Sequence, residues 1–518
     1  MIPPPSILSG ILPDIIIGSS LFSVMWYQAW LSIIGLVCIC VYLRVFYFPS
    51  KRSTDRKRLN IAPNEKVVGF MHPYSEGCAG GERVLWWTIK ALQQMRDDVQ
   101  VILYTGKPLT KDGDFQNISE EEHGKVLMDK LNNIFNITLD RPIRVVFLHS
   151  RDVLEEASRS RLTLIIQGLA SILLGWEAVN GFTPDVYIDT HGLPFTYFVA
   201  KLAGCRVGSY THYPTISTDM LDRVINRVTA YNNDSSVSNS TLKTNLKFTY
   251  YKIFSILYGF FAGYFCDMVI VNSTWTYQHV KSLWWLKNRK IKKNKLNIQI
   301  VYPPVNVTHL TKLPLAHDTR KPYILSVGQF RPEKDHGLQV KAFSRFLKNE
   351  EYTFSEKSHI SKSDVKLILL GGCRNEEDQK RVDYLNKLAK EMDIPASQFE
   401  IITNAPFSQL LEKLGESMIG IHSMWNEHFG ICVVEYMAAG LIPLSHNSGG
   451  PKMDIVTPGK TGFLAETEEE YAESIYNILS KYHTEEMENI QEQARISTSK
   501  YSDEQYVIEV QECLKEMF

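Results

Sequence analysis

The sequence carries no surplus of charge, since its 56 lysines and arginines are balanced by 57 aspartates and glutamates. A chain so balanced does not wrap nucleic acid as a whole, because that role needs a strongly positive surface. Cysteine is sparse and scattered: Cys38, Cys40, Cys78, Cys205, Cys266, Cys373, Cys432 and Cys513 form neither a paired framework nor a metal-ligand spacing. They read as reduced thiols on a cytosol-facing protein. No internal repeat and no low-complexity tract is evident, so solenoids and long disordered regions are not expected.

Apolar residues near the N-terminus are abundant. The run from Ile15 to Phe48 is nearly all apolar and exceeds the roughly 20 residues that a helix needs to cross a bilayer. Before it stand Asp14 and no lysine or arginine, unlike the basic leader of a cleaved signal peptide. The basic cluster follows instead, in "RVFYFPSKRSTDRKR", and the positive-inside rule then places the rest of the chain in the cytosol. The expectation is a short luminal terminus (1–20) and a single anchor (21–48). Sequons such as those at Asn136 and Asn272 are then chance matches. Two further apolar runs, 161–176 and 250–271, read as core helices or as helices lying on the lipid surface, the second followed by a buried strand.

Beyond residue 64 short β-rich runs alternate with amphipathic helical stretches, the pattern of βαβ units and a covered parallel sheet. The alternation pauses in a polar stretch and then restarts with "YILSVGQF". This predicts an α/β protein of two Rossmann-like, doubly wound domains, 64–305 and 322–500, joined by a linker at 306–321 and facing a central cleft. Residues 501–518 read as a helix returning to the first domain. Helices are expected at about 337–348, 376–392, 407–416 and 430–439 in the second domain. The Asn/Ser/Thr-rich region 228–248 reads as a mobile insertion.

Three segments stand where such folds bind ligands. "HPYSEGCAGGERVLWW" follows the first strand, with Gly77, Gly80 and Gly81 in the loop and Glu82 opening the helix. Glycine permits close backbone approach, and a helix N-terminus presents free N–H groups, which suits a diphosphate. No Gly-Lys-Ser/Thr follows it, so it is not a Walker A loop, and a glycine-rich turn is often only a turn. "SVGQFRPEKDHG" brings Arg331 and Lys334 into a loop over the cleft, although basic pairs in loops are usually just solvated. "WNEHFGICVVEYMAAG" places Glu427 ahead of a helix that starts near Gly430 and Ile431, with Glu435 two turns further on. Carboxylates accept sugar hydroxyls well, and two acids flanking an apolar helix are poorly explained as ordinary surface charge. His72, His191 and His212 stand at strand ends in the first domain, where a lone histidine is more often structural than catalytic.

Taken in this order, the Gly80-Gly81 loop, the Arg331/Lys334 pair and Glu427-x7-Glu435 resemble the retaining glycosyltransferases of the GT-B type, more narrowly glycosyltransferase family 4. With "DTHGLPFT", "THYPTIS" and the N-terminal anchor, the chain is most similar to members of the endoplasmic reticulum. Those members use GDP-mannose and a dolichyl-diphosphate-linked oligosaccharide. The resemblance implies that Gly80 and Gly81 set amides near the donor diphosphate, and that Arg331 and Lys334 bind the same phosphates. It implies that Glu427 contacts the mannose, Glu435 the ribose, and His212 the region between sugar and acceptor. Gly430 and Ile431 belong to the donor site. Gln329 stands where many members carry a basic residue, which weakens the case for Arg331 more than for Lys334. The resemblance also implies no metal and no cofactor besides the donor substrate, an endoplasmic reticulum membrane location, other mannosyltransferases as partners, and no nucleic acid. A UDP-sugar transferase and an inert scaffold of the same fold stay open at this level.

Overall fold

The computed structural model describes residues 11–77, 80–108, 116–158, 163–225, 241–284, 298–315, 319–355 and 360–518. Two all-parallel sheets organise the chain, as the alternating pattern predicts. The first runs β3-β2-β1-β4-β5-β6-β7, with β1 at Lys66–Met71, β2 at Val99–Thr105, β3 at Arg144–Phe147, β4 at Val186–Asp189, β5 at Arg206–Thr211, β6 at Met268–Val271 and β7 at Ile298–Ile300. The second runs β10-β9-β8-β11-β12-β13, with β8 at Lys321–Val327, β9 at Lys366–Gly371, β10 at Phe399–Thr403, β11 at Ser417–His422, β12 at Ile442–His446 and β13 at Phe463–Ala465. Strand order reverses direction beside β1 in the first sheet and beside β8 in the second. These switch points open a crevice at the carboxyl ends of the strands, where α/β folds bind ligands.

Helix ends follow local chemistry. Asn375 caps Glu376–Glu391 by accepting from the Asp378 N–H, and Thr467 and Ser502 do the same for Glu468–Ser480 and Asp503–Lys515. The last of these helices packs against Gly80–Met95. Tyr506, Val510 and Leu514 join the first domain's core there, and the Tyr506 hydroxyl lies 2.6 Å from Thr88 Oγ1. Arg83 grips Asp503 with two hydrogen bonds of 2.7 and 2.6 Å, so the C-terminus clamps the helix that carries the two glycines.

The N-terminal helix is longer than its apolar run. It extends over Ile11–Tyr42, passes through a π-turn at Leu43–Tyr47 and continues over Phe48–Arg58. Its Trp26–Arg58 portion is long and apolar enough to cross a membrane. Residues 1–10 of the expected luminal terminus lie outside the described residues. The basic cluster after the apolar run does more than mark topology. Arg52 donates to the carbonyls of Pro184 and Ala203, and Arg56 pairs with Asp185 at 2.5 Å. Phe48 is fully buried beside Trp176, and the Tyr47 hydroxyl donates to Asn180. The helix is therefore fastened to the first domain and does not hang from it by a flexible tether.

Thr163–Gly181 also has the length and hydropathy of a span, but Gly168, Ala170, Leu174, Ala178 and Val179 bury one side of it in the domain core. The run 250–271 resolves into the end of a helix, Thr241–Phe265, followed by the buried strand β6. That helix corrects the expected insertion at 228–248, because residues 241–248 are helical. Their mostly polar residues gave them the composition of a loop. Residues 226–240 lie outside the described residues. Asn272 is buried and accepts from Thr276 Oγ1, so its sequon has no exposed acceptor nitrogen.

Candidate active site

The loop after β8 ends in a single 3-10 turn, Pro332–Lys334. Asp335 then takes a left-handed conformation (φ 45°) and caps His336–Lys348. Ser423, just past β11, donates to the carbonyls of Lys334 and Asp335 at 2.9 and 3.0 Å, which fixes this turn over the crevice. The Lys334 side chain reaches back across it to Glu427, Nζ to Oε2 2.5 Å. His422 Nε2 stands 3.2 Å from the same oxygen, and the His428 N–H donates to Oε1 at 3.1 Å. Burial alone would raise the Glu427 carboxyl, but the Lys334 ammonium and His422 hold it well below the usual carboxylate range. Burial works against the Lys334 ammonium, and Glu427 more than restores it. The pair is thus charged, partly enclosed and held by further hydrogen bonds, which a buried ion pair needs to survive.

The backbone under Glu427 is equally constrained. The Gly450 N–H donates to the Glu427 carbonyl at 2.7 Å. A Cβ on Gly449, whose φ is +62°, would meet that carbonyl oxygen at 2.3 Å. Only a glycine lets the two loops approach this closely. Glu427 lies in the loop ahead of the next helix, as the sequence places it, and Glu435 lies within that helix. Gly430 (φ 108°) caps Ile431–Ala439, whose Val433, Val434 and Met437 bury the inner side. Glu435, on this helix, is half-buried. Burial pushes its carboxyl up to about 7, against the pull of the Arg83 charge.

The first domain meets this helix through its glycines. Gly80 and Gly81 are the first two residues of the helix Gly80–Met95, not loop residues. A Cβ on Gly80 would stand 2.5 Å from Ile431 Cδ1, and one on Gly81 would stand 3.7 Å from His212 Nε2. Two helix N-termini and His212 therefore converge on one spot. His212 Nε2 lies 3.2 Å from the Thr190 carbonyl, and burial lowers its imidazole to about 4, so it is neutral at physiological pH. His72 and His191 sit behind it, rings 5.3 Å apart. Asp189 holds the His191 turn by accepting from the N–H groups of residues 191, 192 and 193.

The structure thus brings together Lys334, Glu427, Gly430, Ile431, Gly80, Gly81 and His212. Arg331 stands apart from the ion pair, 42% exposed and 3.4 Å from Glu333 Oε1. Sequence reasoning missed His422, His428 and Asp189. A strand-end position was a usable signal for His422 and Asp189, whereas no local pattern marks His428.

Two Rossmann-like domains, a charged lysine–glutamate pair at the switch point of one, and helix N-termini facing it from both sides define a GT-B glycosyltransferase. The family described as "ALG11 mannosyltransferase N-terminus" matches residues 65–284, and "Glycosyl transferases group 1" matches 311–497. The GDP-Man:Man(3)GlcNAc(2)-PP-Dol alpha-1,2-mannosyltransferase of Homo sapiens is 40% identical over 497 residues, covering 94% of this chain and 95% of that one. The protein of the same name from Dictyostelium discoideum is 40% identical over 447 residues, covering 86% and 83%. The chain belongs to this family of alpha-1,2-mannosyltransferases. A glycosyltransferase from Rickettsia africae shares the fold at TM-score 0.55 and 16% identity, covering 88% of this chain and 99% of that one. An alpha,alpha-trehalose-phosphate synthase from Burkholderia xenovorans does so at 0.57 and 12%, covering 87% and 100%.

Proposed function

We infer that this protein transfers mannose from GDP-mannose to a mannose 2-hydroxyl of the dolichyl-diphosphate-linked Man3GlcNAc2 oligosaccharide. It does so with retention, adding two α-1,2 residues in turn. The observation that carries the reading is the Lys334–Glu427 pair, set beside the N-terminus of Ile431–Ala439. A leaving diphosphate gains most from fixed positive charge at the point where its own charge develops. Lys334 supplies that charge, with the helix amides of residues 430 and 431 and those of Gly80 and Gly81 beside it. Glu427 accepts hydroxyls of the transferring mannose, Glu435 accepts those of the ribose, and neutral His212 lines the side from which the acceptor enters. Arg331 serves as an outer contact for the phosphates. Substitution occurs on the same face, guided by the leaving phosphate.

The anchor helix suits an acceptor that cannot leave the bilayer, because tethering turns a three-dimensional search into a local one. In this reading the protein is a single-pass endoplasmic reticulum protein with both domains in the cytosol, working beside other mannosyltransferases. The test incubates the membrane-bound protein with GDP-mannose and a short-chain lipid-linked trimannosyl acceptor, then sizes the products. Two added hexoses are expected, and an unextended acceptor sinks the reading.

Catalysis in this reading needs no metal, because Lys334 and the helix ends carry the positive charge. One Asp-x-Asp triplet, Asp112-Gly113-Asp114, lies outside the described residues. The same assay run in EDTA therefore has a definite expectation, full activity, and loss that is restored by Mn²⁺ would refute it. A pH dependence follows from Glu435. Below its value of about 7 the carboxyl is protonated, and above it the carboxylate accepts two ribose O–H groups. The KM for GDP-mannose should fall as pH rises from about 6 to about 8. Glu435→Gln should flatten that profile, and a profile unchanged in the variant would remove Glu435 from the donor site.

A further inference from the structure

One aromatic side chain at the mouth of the crevice has no part in either domain core. Tyr213 directly follows His212 at the end of β5, and it is 55% exposed. Its ring stacks on His428, with centroids 4.7 Å apart and planes 16° from parallel. His428 directly follows Glu427, and its own ring lies 5.1 Å from Trp275. Burial lowers the His428 imidazole to about 4, so the stack is between neutral rings. Arg331 and Glu333, 3.4 Å apart and partly exposed, take no part in the Lys334–Glu427 contact.

We propose that Tyr213, backed by His428, is the platform for the acceptor's terminal mannose. The inference rests on the transferase reading above and names a residue that recognises its second substrate. A pyranose has an apolar C–H face and a rim of hydroxyls. An exposed aromatic ring matches the apolar face of such a sugar. Position assigns the sugar. The donor's mannose must reach Glu427 inside the crevice, so a ring at the mouth, one residue beyond His212, faces the incoming saccharide. The competing role is mechanical, because the Tyr213–His428 stack also joins the two domains and could simply hold them shut.

Steady-state kinetics of the full-length, membrane-bound protein separates the two, using GDP-mannose and the short-chain lipid-linked trimannosyl acceptor. Tyr213→Ala should raise the acceptor KM by about tenfold while the GDP-mannose KM moves by less than about twofold. Tyr213→Phe keeps the ring face and should hold both values within about twofold of wild type. An unchanged acceptor KM in Tyr213→Ala overturns the platform, and so does a parallel rise in both KM values, which marks a clasp between domains. Should Tyr213→Ala fail to bind GDP, Tyr213→Leu decides, since it keeps apolar bulk without a flat face. A normal acceptor KM in that variant overturns the platform, and a raised one supports it. Wild-type protein that extends no acceptor refutes the transferase reading itself, an outcome distinct from all of these.

Discussion

Lys334→Ala should lower the rate of mannose transfer by about a hundred- to a thousandfold, the usual cost of deleting one fixed group that stabilises developing negative charge. The protein should still fold and remain in the membrane, because Lys334 lies in a turn that Ser423 and the Asp335 cap hold independently of the side chain. The loss has two parts. The diphosphate loses its cation, and Glu427 is left buried without its main counter-charge, so its carboxyl shifts upward and binds a proton more readily. Glu427→Gln separates them. It keeps the shape and removes the charge, and it should also lose transfer by a comparable factor while retaining GDP binding through Lys334. Initial rates with saturating GDP-mannose measure both variants. Turnover at the wild-type rate by purified Lys334→Ala protein would remove the residue from the mechanism.

Arg320→Ala should strongly destabilise the packing of the linker against the second domain. Arg320 is 5% exposed, and its guanidinium donates to four backbone carbonyls. Nη1 reaches Leu414 and Ser417 at 3.0 and 2.6 Å, and Nη2 reaches Pro314 and Ala439 at 3.0 and 2.6 Å. Those carbonyls belong to the linker, to the end of Phe407–Glu416, to the start of β11 and to the last turn of Ile431–Ala439. The charge therefore also sits at the negative end of the helix whose other end faces the crevice. Removing it strands several buried acceptors and costs about 3–5 kcal/mol, well above the typical point mutation. Lysine is not an adequate substitute, since one ammonium cannot match a planar fork of donors. Chemical denaturation followed by a probe in the second domain should show the lower midpoint for Arg320→Ala, with Arg320→Lys in between. A shift below about 1 kcal/mol would show that water replaces the guanidinium at little cost.

Several elements were legible to within a residue or two. The helices expected at 337–348, 376–392, 407–416 and 430–439 are observed at His336–Lys348, Glu376–Glu391, Phe407–Glu416 and Ile431–Ala439. Their limits are set locally, by Asp335 and Asn375 as caps and by Gly430 and Gly440 in left-handed conformations. Limits that depend on partners were less legible. The start of Thr241–Phe265 looked like a loop because threonine, lysine and asparagine predominate there. Gly80 and Gly81 looked like loop residues because glycine is a poor helix former.

The amino-acid sequence by itself determined the two doubly wound domains, the apolar N-terminal helix and the identity of the acids, bases and glycines available for chemistry. Periodicity and capping act over a few residues, so they are written in the chain directly. Only the tertiary structure decided which of those groups work together. Lys334 and Glu427 are 93 positions apart. They meet because β8 and β11 are neighbours in the sheet and both end at the same crevice. Arg331, three residues before Lys334, turns away from the pair. Gly80 and Ile431 touch only because the two domains face each other. Fastening the anchor through Arg52 and Arg56 likewise needs carbonyls and a carboxylate more than 120 residues further along. Contacts of that kind depend on long-range packing and desolvation, which no local pattern encodes.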